Sequence, residues 1–251
     1  MSIVAEGPAL ARGSTAPVPR PSRDLWLRVA SAVVLAPLAV LTAYLGGPWF
    51  IGFWLLGAAG VLWEWIGIVA AARALPGAAR AGWIAFGALY AGAILAAPLV
   101  IRADAALGFI AMIFLFAVVW ATDIAAYFAG RLIGGAKLWP AVSPNKTWSG
   151  AIAGAVAGTA AGVAVAGFGG SVPIGPTLAV SFLLSVISQF GDLFESALKR
   201  RFGVKDASHA IPGHGGFMDR LDGFIAAAVV AALIGLARGG IDGAAGGFLL
   251  W

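Results

Sequence analysis

The sequence predicts an all-α protein, a polytopic integral membrane helical bundle of about 7 to 9 transmembrane helices. Three observations carry that prediction. First, 61% of the residues are hydrophobic, 11% are charged and mean hydropathy is +0.95, which leaves too little polar surface to cover a water-soluble globule of 251 residues. Second, the apolar residues fall into runs of about 20, the length of helix that crosses a hydrocarbon core of about 30 Å. Third, glycine, proline and charged residues collect between those runs, where a chain leaving the bilayer turns. Cysteine is absent, which excludes disulfides, thiolate metal sites and a cysteine nucleophile. A pI of about 10.1 reports first the topology rule and attraction to anionic headgroups. No basic patch interleaved with stacking aromatics lies outside the apolar runs, so membrane lipids are expected partners and nucleic acid is not.

Residues 1–23 are rich in Pro, Ser, Gly and Arg and cannot bury enough surface to fold, so a mobile tail is expected. Residues 24–251 read as a single transmembrane domain. Its first span, 25–45, begins at Trp26 beside Arg23 and Arg28, and its length favours a retained helix over a cleaved signal peptide. Gly46, Gly47 and Pro48 break it before a second span, 49–72, which carries Glu64 inside WEW. A third span is expected over 82–101 and a fourth over 106–130, where Asp123 and Tyr127 share a helix face. The basic, turn-rich loop 131–147 leads to a fifth span, 148–168. Gly150, Gly154, Gly158 and Gly162 recur there at every fourth position, a stripe that reads as close helix packing and leaves pairing with a second copy open. A sixth span over 177–198, a charged segment, a seventh span over 221–237 and a Gly-rich end too short for a confident span complete the chain.

Successive loops alternate sides, so the tail, the 73–80 loop, the 131–147 loop and the 199–220 segment share one side. They hold fourteen of the sixteen Lys and Arg, leaving Arg102 and Arg238 across the bilayer. By the positive-inside rule the charged side is cytoplasmic, in an inner or plasma membrane, and the two polar loops face the compartment that holds nucleotides.

The segment QFGDLFESALKRRFGVKDASHAIPGHGGFMDRLDG, 189–223, places ten acids and bases between two spans. Asp192, Glu195, Ser196 and Lys199 line one helical face, and Asp219 and Asp222 stand three apart just after PGHGG. Carboxylates converging from two helix ends repel one another unless cations lie between them. A hard divalent ion such as Mg²⁺ suits an all-oxygen site, keeps waters and substrate phosphates as further ligands, and leaves charge for nearby Lys and Arg to meet. A solvated loop with surface ion pairs is the plainer reading of such a run, but Asp192 sits within an apolar helix and Asp219 beside the start of one. His209 and His214 read as hydrogen-bonded loop residues with a weaker claim to phosphate contact. In the other polar loop, SPNKTWSG, Lys146 stands beside a helix start that Thr147 or Ser149 caps, an arrangement suited to an anion.

The segment SALKRRFGVKDASHAIPGHGGFMDRLD, 196–222, resembles the signature of phosphatidate cytidylyltransferases, or CDP-diacylglycerol synthases, position for position. The resemblance extends to SQFGDLFES, 188–196, to the block 123–150, and more loosely to WEW and to RVASAVVLAP. Ile124 and Ala125 depart from the family's usual small polar residue and glycine. The resemblance implies transfer of a cytidylyl group from CTP to phosphatidate, with Mg²⁺ required and CDP-diacylglycerol and pyrophosphate as products. It implies Asp192 and Asp219 as principal metal ligands, with Asp222 and Asp123 as further ligands or supporting groups. Lys146, Lys199, Arg200, Lys205 and Arg220 become candidates for the phosphates, and Gly213, Gly215 and Gly216 for close backbone approach. Ser143, Thr147, Ser196, Asp206, His209 and His214 complete the expected substrate-binding set. Two other readings remain: a CTP-dependent lipid-alcohol kinase, which needs a general base for a hydroxyl, and an ion-coupled transporter, which needs acids at mid-membrane on several helices.

Overall fold

The computed structural model describes residues 23–72, 74–168, 173–204, 207–208, 210 and 215–251, so the expected tail over 1–22 lies outside the described residues. Among the described residues eight helices and one short hairpin follow in the order α1 (Arg23–Leu45), α2 (Gly47–Ala71), α3 (Gly77–Ala103), α4 (Gly108–Leu132), β1 (Lys137–Trp139), β2 (Ser143–Thr147), α5 (Trp148–Phe168), α6 (Ile174–Arg201), α7 (Met218–Gly239) and α8 (Ala244–Leu249). Helices α2 to α7 are each long and apolar enough to cross a bilayer, and α1 is apolar over Ser31–Leu45. This is an all-α polytopic membrane bundle. The six-residue α8 is too short to span.

Several helices outrun the apolar windows that announce them. α3 starts at Gly77 rather than 82, α6 at Ile174 rather than 177 and α7 at Met218 rather than 221. Hydropathy marks the part of a helix that crosses lipid, whereas its ends are set by turn residues, here Pro76 and Pro173 at the start of α3 and α6. Gly46 (φ 64°) and Gly47 (φ 50°) occupy the left-handed region, which lets α1 turn into α2 across a single intervening residue. The loop over 131–147 is more ordered than expected. It folds into an antiparallel hairpin pairing Lys137 with Thr147 and Trp139 with Ser143 across a bulge. Pro144 and Asn145 are turn formers in isolation, but a short edge strand accommodates them.

Helix α7, which carries Asp219 and Asp222, touches α2, α3, α4, α6 and α8. Its Phe224 ring stacks on Trp54 of α2 at 5.0 Å and meets Phe116 of α4 at 5.2 Å, and Phe116 stacks on Trp120 at 5.1 Å. The α5 glycine stripe packs within the chain. A Cβ on Gly150 would lie 2.7 Å from the Ala126 carbonyl oxygen, one on Gly154 2.9 Å from that of Thr122, and one on Gly158 2.7 Å from Ser185 Oγ and 2.9 Å from the Val118 carbonyl. Thr122 Oγ1 and Ser185 Oγ share a hydrogen bond at 2.6 Å in this seam. The stripe is therefore taken up by α4 and α6.

Polar staples close the end of the bundle opposite the hairpin. Asp104 Oδ1 accepts the Ala106 and Leu107 amides at 3.0 Å, and its Oδ2 accepts the Gly246 amide of α8 at 3.0 Å. Arg102 donates to the Ala43 carbonyl at 2.6 Å, and Arg238 donates to the Gly247 carbonyl at 2.8 Å while lying over the Trp251 ring. Burial pushes the Asp104 carboxyl upward, but the amides of Leu107, Gly246, Ala106 and Ala245 outweigh it and hold the group below its ordinary value.

Gly158→Val forces the α4, α5 and α6 backbones apart and is expected to cost about 1–3 kcal/mol, read by thermal unfolding in detergent. Gly167→Ala, with open space around its Cβ position, is expected to be neutral or slightly stabilising. Asp104→Ala should cost about 2 kcal/mol near neutral pH. Because the folded carboxyl titrates below its unfolded value, its contribution is full above that unfolded value and fades as pH falls through the lower folded one. The gap between wild type and variant should accordingly close in acid.

Candidate functional site

Helix length puts the charged residues at a membrane boundary. The 28 residues of α6 extend about 42 Å at 1.5 Å per residue, beyond the roughly 30 Å of a hydrocarbon core. The surplus at its C-terminal end holds Lys199, Arg200 and Arg201, cations that suit the negative end of the helix dipole. Helix α7 begins nearby with Asp219 in its first turn, where a carboxylate suits the positive end.

What brings the acids together is a close crossing of α6 and α7. A Cβ on Gly191 would lie 2.5 Å from the Asp222 carbonyl oxygen, and a Cβ on Gly223 would lie 2.9 Å from that of Ser188. Each glycine is the sequence neighbour of an acid, Asp192 on one helix and Asp222 on the other. One oxygen from each of Asp192, Glu195 and Asp222 lies within 4.8 Å of the other two. Glu195 is 3% exposed, and its Oε1 stands 3.1 Å from Lys199 Nζ without completing a hydrogen bond. Asp222 Oδ1 accepts the Gly223 amide at 2.7 Å.

The cations interleave with this group. Lys199 Nζ also donates to Asp219 Oδ1 at 2.5 Å, and Asp219 Oδ2 accepts the Gly216 amide at 2.8 Å. Lys146, carried by β2 of the hairpin, pairs with Asp192, whose side chain is 38% exposed. Asp123 of α4 lies within electrostatic range of Asp192, Lys146 and Arg220. Five carboxyl groups thus face three cations among the described residues, a formal surplus of two acids when all are ionised.

The expected metal ligands Asp192 and Asp222 are in the three-acid group. Asp219 lies beside that group, bonded to Lys199 and to the Gly216 amide, and Glu195 is its third member. Thr147 is buried and caps α5, its Oγ1 accepting the Gly150 amide at 3.1 Å, while Ser149 Oγ donates to the Gly134 carbonyl at 2.5 Å. Ser143 pairs with Trp139 in the hairpin, Ser196 is half-buried on α6, and Arg200 and Arg220 are exposed. Gly215 has φ 82°, and a Cβ there would meet Asp219 Oδ2 at 2.8 Å. Lys205, Asp206, His209, Gly213 and His214 lie outside the described residues. Two further neighbours of the cluster lie outside the expected set. Glu64 of α2 accepts hydrogen bonds from the start of α7, and Tyr90 of α3 lies within electrostatic range of Asp222 and Glu195. The lone acid in an apolar run was the available signal for Glu64; for Tyr90 there was none.

A multi-pass membrane bundle with an acid-rich, cation-laced cluster at one helix end is the class these features define. The chain belongs to the cytidylyltransferase family, whose model matches residues 72–237. Over 159 residues it is 48% identical to a phosphatidate cytidylyltransferase of Brucella suis biovar 1 (strain 1330), covering 61% of this chain and 57% of that protein. Over 115 residues it is 44% identical to the phosphatidate cytidylyltransferase of Staphylococcus haemolyticus (strain JCSC1435) and 42% identical to that of Staphylococcus aureus (strain COL), covering 45% of this chain and 44% of each. The chain thus aligns with about half the length of these relatives.

Lys199 is the cation on which Glu195 and Asp219 both depend. Lys199→Ala leaves two buried carboxylates facing each other and is expected to cost about 3–5 kcal/mol. Asp219→Asn in the same chain should recover part of that loss, a non-additivity that thermal unfolding of the single and double variants measures.

Proposed function

We propose that this protein transfers the cytidylyl group of CTP to phosphatidate, releasing pyrophosphate and forming CDP-diacylglycerol at the cytoplasmic face of a bacterial-type inner or plasma membrane. The observation that carries the reading is the gathering of Asp192, Glu195 and Asp222 beside Lys146 and Lys199 at one end of the bundle, within a chain of the cytidylyltransferase family. The concentration of Lys and Arg on that side supports the orientation.

The residues fit a divalent metal. Their donors are all oxygen, one buried Glu195 oxygen lacks a hydrogen bond, and the three carboxylate oxygens lie within 4.8 Å of one another, near enough for one ion to draw them together. Asp192, Glu195 and Asp222 would hold the ion, with Asp219 and Asp123 as supporting charges. Bound there, Mg²⁺ would neutralise triphosphate charge and cover the departing pyrophosphate.

The lipid phosphate is anionic near neutral pH, so no residue has to remove a proton from it. One of its oxygens forms the bond to the α-phosphorus of CTP while the bond from that phosphorus to the bridging oxygen breaks, and pyrophosphate leaves with the electron pair. The chain's work is positioning and charge stabilisation. Lys146 and Lys199, held beside the acids by ion pairs, would exchange carboxylate for phosphate oxygens as substrate enters. Arg200 and Arg220 are placed to meet phosphate from the exposed side. Lys205, Asp206, His209, Gly213 and His214 stay as candidates from the sequence, as do Ser143, Thr147, Ser196, Gly215 and Gly216.

Purified protein given CTP, phosphatidate and Mg²⁺ should form CDP-diacylglycerol and pyrophosphate in equal amounts and neither without the metal. Asp222→Asn and Glu195→Gln should each lower turnover by about 100-fold or more. Phosphorylation of a lipid alcohol with release of CDP would replace this reading with the kinase one, and unchanged turnover in both variants would remove the trio from the site.

A further inference from the structure

Glu64 is a buried acid that the proposed reaction leaves unused and that lies against the start of α7. It is 3% exposed, on an otherwise apolar stretch of α2, yet its carboxylate receives three donors. Oε1 accepts the Phe217 amide at 2.8 Å and Ser208 Oγ at 2.5 Å, and Oε2 accepts the Met218 amide at 2.8 Å. Two glycines make room for the contact. A Cβ on Gly216 would lie 2.5 Å from Oε1 and 2.7 Å from Oε2, and a Cβ on Gly60, one turn before Glu64, would lie 2.7 Å from the Phe217 ring.

The first amides of a helix have no partner within it, and the positive end of its dipole favours an anion. A carboxylate that takes two successive amides with its two oxygens fixes more than the helix's position: it fixes rotation about the axis. Phe217 and Met218 immediately precede Asp219, and Asp222 follows one turn later. We propose that Glu64 is a positioning residue for the site, clamping the first turn of α7 so that Asp219 stays on Lys199 and Asp222 stands across from Asp192 and Glu195. The link to turnover rests on the proposed cytidylyl transfer; the clamp itself does not.

Glu64→Gln keeps the shape but turns an amide nitrogen towards a backbone N–H. Hydrogen exchange at Phe217, Met218 and Asp219 should speed up about tenfold, the scale of one lost hydrogen bond to a charged acceptor, while exchange in the middle of α7 stays as in wild type. Mn²⁺ affinity of the protein alone should fall, and the Mg²⁺ needed for half-maximal turnover should rise with it. Gly216→Ala, which displaces the carboxylate from the opposite side, should give the same pattern and combine with Glu64→Gln less than additively. Should Glu64→Gln fail to fold, Ser208→Ala removes a single donor and should show the same changes in smaller measure. A wild-type protein inactive with CTP and phosphatidate would end the functional proposal, but the exchange and Mn²⁺ measurements would still decide the role of Glu64. Wild-type exchange at Phe217 to Asp219, or faster exchange spread evenly along α2 and α7 with unchanged metal affinity, would overturn the positioning role.

Discussion

The site depends on two backbones touching. At Gly191 and Gly223 the helices α6 and α7 approach so closely that either Cβ would strike a carbonyl of the other helix. Because Asp192 follows the first glycine and Asp222 precedes the second, the crossing fixes the separation of the acids. With Glu195 one turn beyond Asp192, three carboxylates are brought within 4.8 Å. Like charges at such separations are costly at a membrane boundary, where water screens them incompletely. Lys146 and Lys199 relieve part of that cost and leave a negative remainder. That surplus of acids is what the proposed divalent cation would balance.

The bundle supports this arrangement from three directions. Helix α7 packs on its Ala and Gly positions and stacks through Phe224 against Trp54 and Phe116. The α5 glycine stripe draws α4 and α6 together, which places Asp123 and Asp192 in one electrostatic neighbourhood. The hairpin over Lys137–Thr147 delivers Lys146 to Asp192. At the far end, Asp104, Arg102 and Arg238 bind backbone groups, so the few charges there serve the fold.

Much of this was legible in the sequence because bilayer thickness is a strict ruler. Apolar runs near 20 residues located every long helix and Gly46 and Gly47 marked the first break, whereas the starts of α3 and α6 at Pro76 and Pro173 lie ahead of their apolar windows. The acids at Asp192, Asp219 and Asp222 stood out because charge is scarce in this chain. Which of them group together was not legible. A helix face at spacings of three and four admits Glu195 as readily as Asp192, and only the crossing at Gly191 and Gly223 shows that Glu195 joins the trio while Asp219 turns to Lys199. The hairpin was hidden by Pro144 and Asn145, which read as turn residues although a short edge strand tolerates them. The glycine stripe was visible, but its partners in α4 and α6 are set by tertiary packing that no local pattern reports.

The central claim is that carboxylates from α6 and α7 form one divalent-cation site. Electron paramagnetic resonance of free Mn²⁺, titrated with wild-type protein in nanodiscs, tests it without reference to turnover. The account predicts that wild type removes Mn²⁺ from solution at low stoichiometry, and that Glu195→Gln combined with Asp222→Asn abolishes this uptake while the fold persists. Equal Mn²⁺ uptake by wild type and the double variant, or none by either, would contradict it.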